Sequence, residues 1–382
     1  MVLSRTPFYA ESGGQVGDSG TLVSDKEKII ITDTHRENNL IIHYCDKLPS
    51  YLTVPFIAKV DSSRRKLIST NHSATHLMHA ALKQVLGNHV NQKGSLVNEN
   101  ETRFDFSHFA KVSDKEIKQI ETIVNDKIRQ NISLGERRNV PVKEAMQLGA
   151  TALFGEKYGD FVRIIIFDPQ FSIELCGGTH ISATGQIGLF KIMSESAVAA
   201  GVRRIEAITS VKAEAYIENQ IEELNKIKEL LKNPKDSVQR LQELLDENVA
   251  LQKLISQYTS EKTQLIKNQL LGRIRKINGI NIIAEKIELP SVDAIKNLSF
   301  ELKNQVENLF FLAGTQIEDK AFLSLILSEN LVKENNLNAT SIIRELAKEI
   351  QGGGGGQPFY ATAGGKNPAG LTKAIERAEE FV

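Results

Sequence analysis

The sequence predicts an α+β protein built from several domains. Short apolar runs of strand length alternate with longer stretches of helical periodicity, glycine-rich turns separate them, and one long segment of three-four spacing stands apart from both. At 382 residues the chain is too long for a single compact core. Four segments follow: a small β subdomain over 1–60, an α+β sandwich over 61–209, a helical coiled-coil hairpin over 210–271 and a compact α/β domain over 272–382.

In the first segment SGGQVGDSG is a turn-rich loop, and KIIIT and LIIHY are strand-like runs. From Ser62 the pattern changes. Leu67, Thr70, Ala74, Leu77, Ala81 and Leu82 recur at helical spacing up to Gly87, so His72 and His76 lie one turn apart on one helix face. SLVNENETRFDFSHF reads as two strands, DKEIKQIETIVNDKIRQN as an amphipathic helix, FVRIIIF as a buried strand, and SIELCGGTH as a strand running into a glycine turn.

Leu241, Leu244, Asn248, Leu251, Ile255, Tyr258, Lys262 and Leu265 form a coiled-coil seam with two polar interruptions. An earlier helix through Ile217, Ile221, Leu224 and Leu231 ends near Asn233-Pro234, which suggests a helical hairpin; the seam pairs within it or with a second chain. The last segment reads as strand INIIAEKI, helix SVDAIKNLSFELKNQV, strands NLFFLAGT and AFLSLILS, helix TSIIRELAKEI, the run GGGGGQPFYATAGGK, and a closing helix AGLTKAIERAEEF. The five glycines read either as a flexible linker or as a place where backbone approaches a large partner.

Apolar content of 41% and charged content of 25% are those of an ordinary globular protein. With 47 basic and 47 acidic residues there is no global field for nucleic acid, so any RNA contact must be local. The pairs Arg64-Arg65, Arg137-Arg138 and Arg203-Arg204, and the cluster Arg273, Arg275 and Lys276, are candidates for phosphate, against the plainer reading of solvated surface. Two cysteines, Cys45 and Cys176, cannot make a disulfide framework and fit a reducing compartment; Cys45 reads as a small buried strand residue. No apolar run approaches the roughly 18 residues of a membrane span, and the start lacks a signal-peptide core, so the expected location is the cytoplasm.

The chemistry concentrates in two pairs. His72 and His76, with Cys176 and His180, supply three imidazoles and a thiolate, a donor set that suits Zn2+ rather than magnesium or calcium. HxxxH alone is weak, since two helical histidines also occur as packed core. The second pair completes the set. His79 is a rival ligand one turn further on, or a core imidazole. Four protein ligands usually mark a structural site, and the sequence leaves open whether this one is catalytic. The segments Pro7 to Gln15 and Pro358 to Lys366 resemble each other but neither fits a P-loop; their backbone amides can still meet phosphate or ribose, or they are unrelated turns.

TPFYAESGGQVGDSG, NHSATHLMHAAL, HVNQKGSLV, TRFDFSHF, ALFGEKYG, ELCGGTH and AAGVRRIEAITS, in this order, resemble the editing region of the alanyl-tRNA synthetase family, and the helical segment and glycine-rich tail resemble its C-terminal domain. The resemblance covers essentially the whole chain. It implies zinc-dependent hydrolysis of seryl or glycyl esters on the tRNA specific for alanine, with His72, His76, Cys176 and His180 as ligands and Thr75 and Gln92 shaping discrimination. It also implies tRNA contacts at Gly13, Gly14, Gln15, Gly352, Gly353, Gly354, Gly355, Gly356, Gly364, Gly365 and Lys366, reaching the acceptor end and the outer corner, and dimerisation through the helical and C-terminal regions in some members. The family's aminoacylation and anticodon-stem regions have no counterpart here, so the chain is not expected to charge tRNA. A freestanding trans-editing deacylase and a non-catalytic tRNA-binding or dimerisation module with structural zinc are the rival readings.

Overall fold

The computed structural model describes residues 1–38, 40–51, 53–152 and 158–382. Most of the ALFGEKYG motif therefore lies outside the described residues. The chain divides into two compact units, Met1–Glu229 and Leu230–Val382. Mixed helices and mainly antiparallel sheets make up both, in keeping with the α+β class.

In the first unit β1 (Gly20–Val23), β2 (Lys28–Glu37), β3 (Leu40–Cys45) and β4 (Ile57–Val60) form an antiparallel sheet of order β3-β2-β1-β4. Alternation in KIIIT buries Ile29 and Ile31 against Leu22 and Phe8. Helix α1 (Ser62–Leu86) starts on Asp61, whose side chain accepts from the Arg64 amide, and ends at Gly87 with φ 114°. Its middle is enclosed: every residue from Ile68 to His79 is buried, polar ones included.

Strands β5 (Gln92–Val97) and β6 (Thr102–Ser107) follow as a hairpin, then α2 (Asp114–Arg129), which a Ser113–Glu116 capping box opens. Next come β7 (Gly135–Pro141), α3 (Val142–Gln147), β8 (Phe161–Phe167) and β9 (Ser172–Leu175), whose strands form a three-stranded sheet. A hairpin absent from the sequence reading, β10 (Phe190–Ala199) and β11 (Val202–Thr209), completes the sheet β10-β11-β6-β5. Polar residues on its outer face and two register shifts blur its alternation. Helices α1 and α2 pack on that sheet around Leu77, Leu82, Phe104, Phe106, Val124 and Phe190. The segment closes with α4 (Ser210–Leu230).

The second unit begins with α5 (Ser237–Leu271), one continuous 35-residue helix. Its seam residues Leu241, Leu244, Leu251, Ile255, Tyr258 and Leu265 are exposed. Strands β12 (Arg275–Ile277) and β13 (Ile280–Lys286), helix α6 (Val292–Gln305), strands β14 (Leu309–Ile317) and β15 (Lys320–Leu327), helices α7 (Glu329–Lys333) and α8 (Ala339–Leu346), strands β16 (Gly352–Gln357) and β17 (Tyr360–Gly365), and α9 (Leu371–Glu376) complete it. The six-stranded order is β12-β13-β14-β15-β17-β16, and only β13 and β14 run parallel, joined over α6.

Here the glycine run departs from the linker reading. Gly352–Gly356 is an edge strand paired with β17, Gly352 opposite Gly365 and Gly356 opposite Ala361. A Cβ on Gly352, Gly354 or Gly356 would meet β17 atoms at 3.0 Å or less, whereas Gly353 and Gly355 face open space. The two look-alike segments also differ. Pro7–Gln15 is a loop with φ of 59° and 84° at Gly13 and Gly14, while Tyr360–Gly365 is a regular strand. The expected closing helix is shorter than predicted, α9 being flanked by 3-10 turns.

Candidate metal centre and adjoining cleft

The first unit brings the two pairs together. One donor atom each from His72, His76, Cys176 and His180 lies within 4.8 Å of all the others. Helix α1 stacks the His72 and His76 rings, with centroids 5.2 Å apart and planes 16° from parallel. Cys176 follows β9 directly, and the Gly177-Gly178 turn returns His180 to the same point; Cys176 Sγ lies 3.4 Å from His72 Nε2 and 3.3 Å from His180 Nε2. A tetrahedral ion with bonds of ~2.0–2.1 Å to nitrogen and ~2.3 Å to sulfur needs donor separations of about 3.3–3.6 Å.

The outward nitrogens are held as well. His72 Nδ1 lies 2.7 Å from Gln15 Oε1, His76 Nδ1 2.6 Å from Glu174 Oε2, and His180 Nδ1 3.1 Å from Ser73 Oγ. An amide oxygen only accepts, so His72 carries its proton on Nδ1 and turns the Nε2 lone pair inward. His76 is oriented by its ion-pair contact with Glu174, and neither of its buried ring nitrogens has a hydrogen-bond partner. Thus the residues present fit a zinc-type ion.

The four donors share their protons unevenly. Burial pushes the Cys176 thiol up, but the His72 and His76 charges and the hydrogen bonds of His180 and His72 outweigh it and hold the thiol well below its ordinary value. Burial, with His72 beside it, lowers His180 to about 3. Burial opposes charge on His76, yet Glu174 and Cys176 raise it to about 10. Glu174, which burial would raise, is instead brought far below the carboxylate range by His76 and His79. His79 stands outside the group of four: its Nδ1 contacts Glu174 Oε1 at 3.0 Å and its ring lies on Phe104.

Beside the four donors a cleft of about 170 Å3 is lined by His72, Thr75, His76 and Cys176, by Gln92 and Ser95 of β5, and by Tyr9, Ser12 and Gly13 of the glycine loop. Thr75 Oγ1 donates to Asn71 O at 2.8 Å and lies 2.6 Å from Thr102 Oγ1. Gln92 Nε2 donates to Ser95 Oγ at 3.2 Å, leaving its Oε1 for other partners. Gly14 needs to be glycine, because a Cβ there would stand 2.2 Å from Ser95 Oγ.

Other sequence candidates fare differently. Gln15, expected among the tRNA contacts, is fully buried and bonded to His72 and Thr179, so it faces no ligand. Arg64 pairs with Glu99, Arg65 with Asp18, Arg203 with Glu195 and Arg204 with Asp105, so each of these arginines already has a carboxylate partner. Arg163, unremarked in the sequence, donates to the carbonyls of Cys176 and Gly178 and clamps the ligand turn; Glu136 holds it at 2.7 Å. Glu174 was also missed. Its signal was a carboxylate at an inward position of an apolar strand. Gly352–Gly356, Gly364, Gly365 and the exposed Lys366 belong to the sheet of the second unit.

Three family models match the chain: "Threonyl and Alanyl tRNA synthetase second additional domain" over 162–206, "tRNA synthetases class II (A)" over 1–63, and "DHHA1 domain" over 279–382. The alanine--tRNA ligase of Cytophaga hutchinsonii is 57% identical over 382 residues, covering 100% of this chain and 44% of the relative. That of Bacteroides fragilis is 51% identical over 100% of this chain and 43% of its own length. The chain is homologous to the C-terminal part of alanine--tRNA ligases. It spans less than half the length of these curated relatives. The alanine--tRNA ligase of Christiangramia forsetii, 49% identical, has the same relation, with 100% of this chain and 44% of the relative aligned. The solved C-Ala domain of Aquifex aeolicus alanyl-tRNA synthetase aligns with 28% of this chain and 96% of its own, at 23% identity and a TM-score of 0.27, too slight a likeness to add to the fold. Among the described residues no helix is long and apolar enough to cross a membrane.

Proposed function

We propose that the first unit hydrolyses the aminoacyl ester of tRNA specific for alanine when it carries serine or glycine, with Zn2+ held by His72, His76, Cys176 and His180. One observation carries the reading: a complete three-imidazole, one-thiol donor set opens onto a cleft of about 170 Å3, which suits a small amino-acid end. The homology to alanine--tRNA ligases and the editing-domain match over 162–206 support it. An active site for alanine cannot exclude glycine and rejects one added hydroxyl poorly, so a second site must remove the errors.

The chain's own groups account for preferring serine to alanine. Gln92 spends its amide N–H on Ser95, so its carbonyl oxygen is free to accept from a serine hydroxyl. An alanine methyl would leave that oxygen unpaired, at a cost of about 1–3 kcal/mol. Thr75 sits between the two histidine ligands with its hydroxyl locked by Asn71 and Thr102, and so forms a fixed wall. Gly13 lines the cleft and Gly14 follows it, and the terminal ribose would rest against this backbone. A bound zinc ion supplies Lewis-acid polarisation or orientation at the ester carbonyl.

The wider reading includes the second unit as a tRNA-binding module, contacting the outer corner of tRNA through the glycine edge strand and Gly364, Gly365 and Lys366. Dimerisation through the helical region, for which the exposed seam of α5 is the support, and a cytoplasmic location belong to the same proposal. A second reading has an observation of its own: four protein donors are the usual set of a structural zinc, which would make the unit a binding module.

One experiment separates them. Purified chain is mixed with seryl- and alanyl-tRNA for alanine, with and without a chelator, and ester loss is followed. Chelator-sensitive loss of the seryl ester alone is expected. Equal loss of both esters, or loss of neither, rejects editing. Retention of full deacylation and full zinc content by Cys176→Ala would reject the ligand assignment.

A further inference from the structure

Gln15 belongs to the loop whose Tyr9, Ser12 and Gly13 wall the cleft, yet its side chain points away from it into the protein. The backbone around it is pinned on both sides: Ser12 and Gln15 exchange amide-to-carbonyl bonds at 3.2 and 3.0 Å, and the Val16 amide donates to Val97 O at 3.1 Å. The carboxamide is fully buried and both of its polar atoms are bonded. Its Oε1 accepts from the Thr179 backbone N–H at 2.9 Å, which fixes the amide's orientation, and lies 2.7 Å from His72 Nδ1; its Nε2 donates to Thr179 Oγ1 at 3.0 Å. Gly178 closes against the same atoms, since a Cβ there would stand 2.8 Å from Gln15 Oε1.

One amide from the N-terminal loop therefore touches both halves of the donor set, His72 on α1 and the turn that carries Cys176 and His180. We propose that Gln15 is a positioning residue: it fixes the ring rotation of His72 and the placement of the Cys176–His180 turn, and so couples the glycine loop of the cleft to the site's affinity for a divalent ion. The inference rests on the metal-binding part of the proposed function and not on ester hydrolysis.

The test uses the full chain and Zn2+ in competition with a chromophoric chelator. Gln15→Met keeps the side-chain volume and removes every hydrogen bond; Gln15→Glu keeps both acceptor bonds and loses only the Nε2 donation. Removing an outer partner of a metal-bound imidazole typically costs about 10–100-fold in affinity, so Gln15→Met is expected to bind that much more weakly, with Gln15→Glu within about 3-fold of wild type. A side chain that merely fills space would leave Gln15→Met at wild-type affinity, because methionine fills the space as well. Wild-type affinity in Gln15→Met, Gln15→Glu as weak as Gln15→Met, or a wild-type chain that binds no Zn2+ overturns the proposal. If metal-free Gln15→Met does not melt cooperatively, Gln15→Asn decides: it keeps the amide but, one methylene shorter, cannot reach both His72 Nδ1 and the Thr179 amide. Binding about 10-fold or more weaker supports the inference, and wild-type affinity overturns it. Zn2+ affinity that depends on Gln15 without seryl-ester hydrolysis would leave this inference standing and remove the proposed function.

Discussion

Gly178→Ala tests the ligand geometry with one methyl group. A Cβ at position 178 would lie 2.1 Å from His72 Cε1 and 2.4 Å from His72 Nδ1. Carbon atoms rest at about 3.5–4.0 Å, so the ring and the methyl must separate by more than about 1 Å. Metal bonds tolerate about 0.2 Å. The backbone at 178 is outside the left-handed region, so alanine adds no conformational strain there and the effect is steric alone. The displaced ring loses alignment with its three partners, and the expected loss of Zn2+ affinity is about 10–100-fold, or about 1.4–2.7 kcal/mol. Gly177→Ala is the control, because a Cβ at 177 meets nothing within 4 Å. Both variants are assayed by chelator competition beside the melting of the metal-free chains. Wild-type affinity in Gly178→Ala, or an equal loss in Gly177→Ala, would refute the geometry.

Other perturbations reach different parts of the molecule. Hydrogen bonds from Arg138 and Arg163 hold the Glu136 carboxyl at about 2, below its ordinary 4.5. Its contribution is therefore complete above about pH 4.5 and disappears as pH falls toward 2; the stability gap between wild type and Glu136→Gln, read by urea unfolding, should narrow across that window, and a gap constant with pH would contradict it. Thr75→Val removes a hydroxyl bonded to Asn71 and Thr102 and should cost about 1–3 kcal/mol by denaturant unfolding; a neutral change would show that the hydroxyl is not locked. Gly354→Ala forces a Cβ to 2.6 Å from Thr362 O, whereas Gly353→Ala meets open space. The first should lower the melting temperature and the second leave it nearly unchanged, and the reverse order would place the strand in a different register.

Much of this was legible in the sequence because it is periodic. Three-four spacing located α1, and with it the shared face of His72 and His76; alternation located β6, and apolar runs of strand length located β2 and β8. The donor set was legible by chemistry alone. What escaped depends on contacts distant in the chain. Gln15 reaches His72 across 57 positions and Thr179 across 164, and spacing carries no trace of either pairing. Glu174 was hidden because strand alternation says which side chains turn inward but not what meets them. The linker reading of the glycine run failed for a related reason: a strand whose partner is satisfied by backbone alone has no side-chain pattern to read. The arginine pairs looked basic because their carboxylates, such as Asp18, Asp105 and Glu195, lie elsewhere in the sequence.

The uneven burial of the four donors bears on time as well as on affinity. His72 and His76 sit in the enclosed middle of α1, while Cys176 and His180 are only half-buried on their turn. An ion held there would have the cleft as one exit and the turn as another, and release on the turn side would wait on the motion of Gly177 and Gly178 against the Arg163 clamp. Weakening the clamp would then speed exchange through the turn even where equilibrium affinity barely changed.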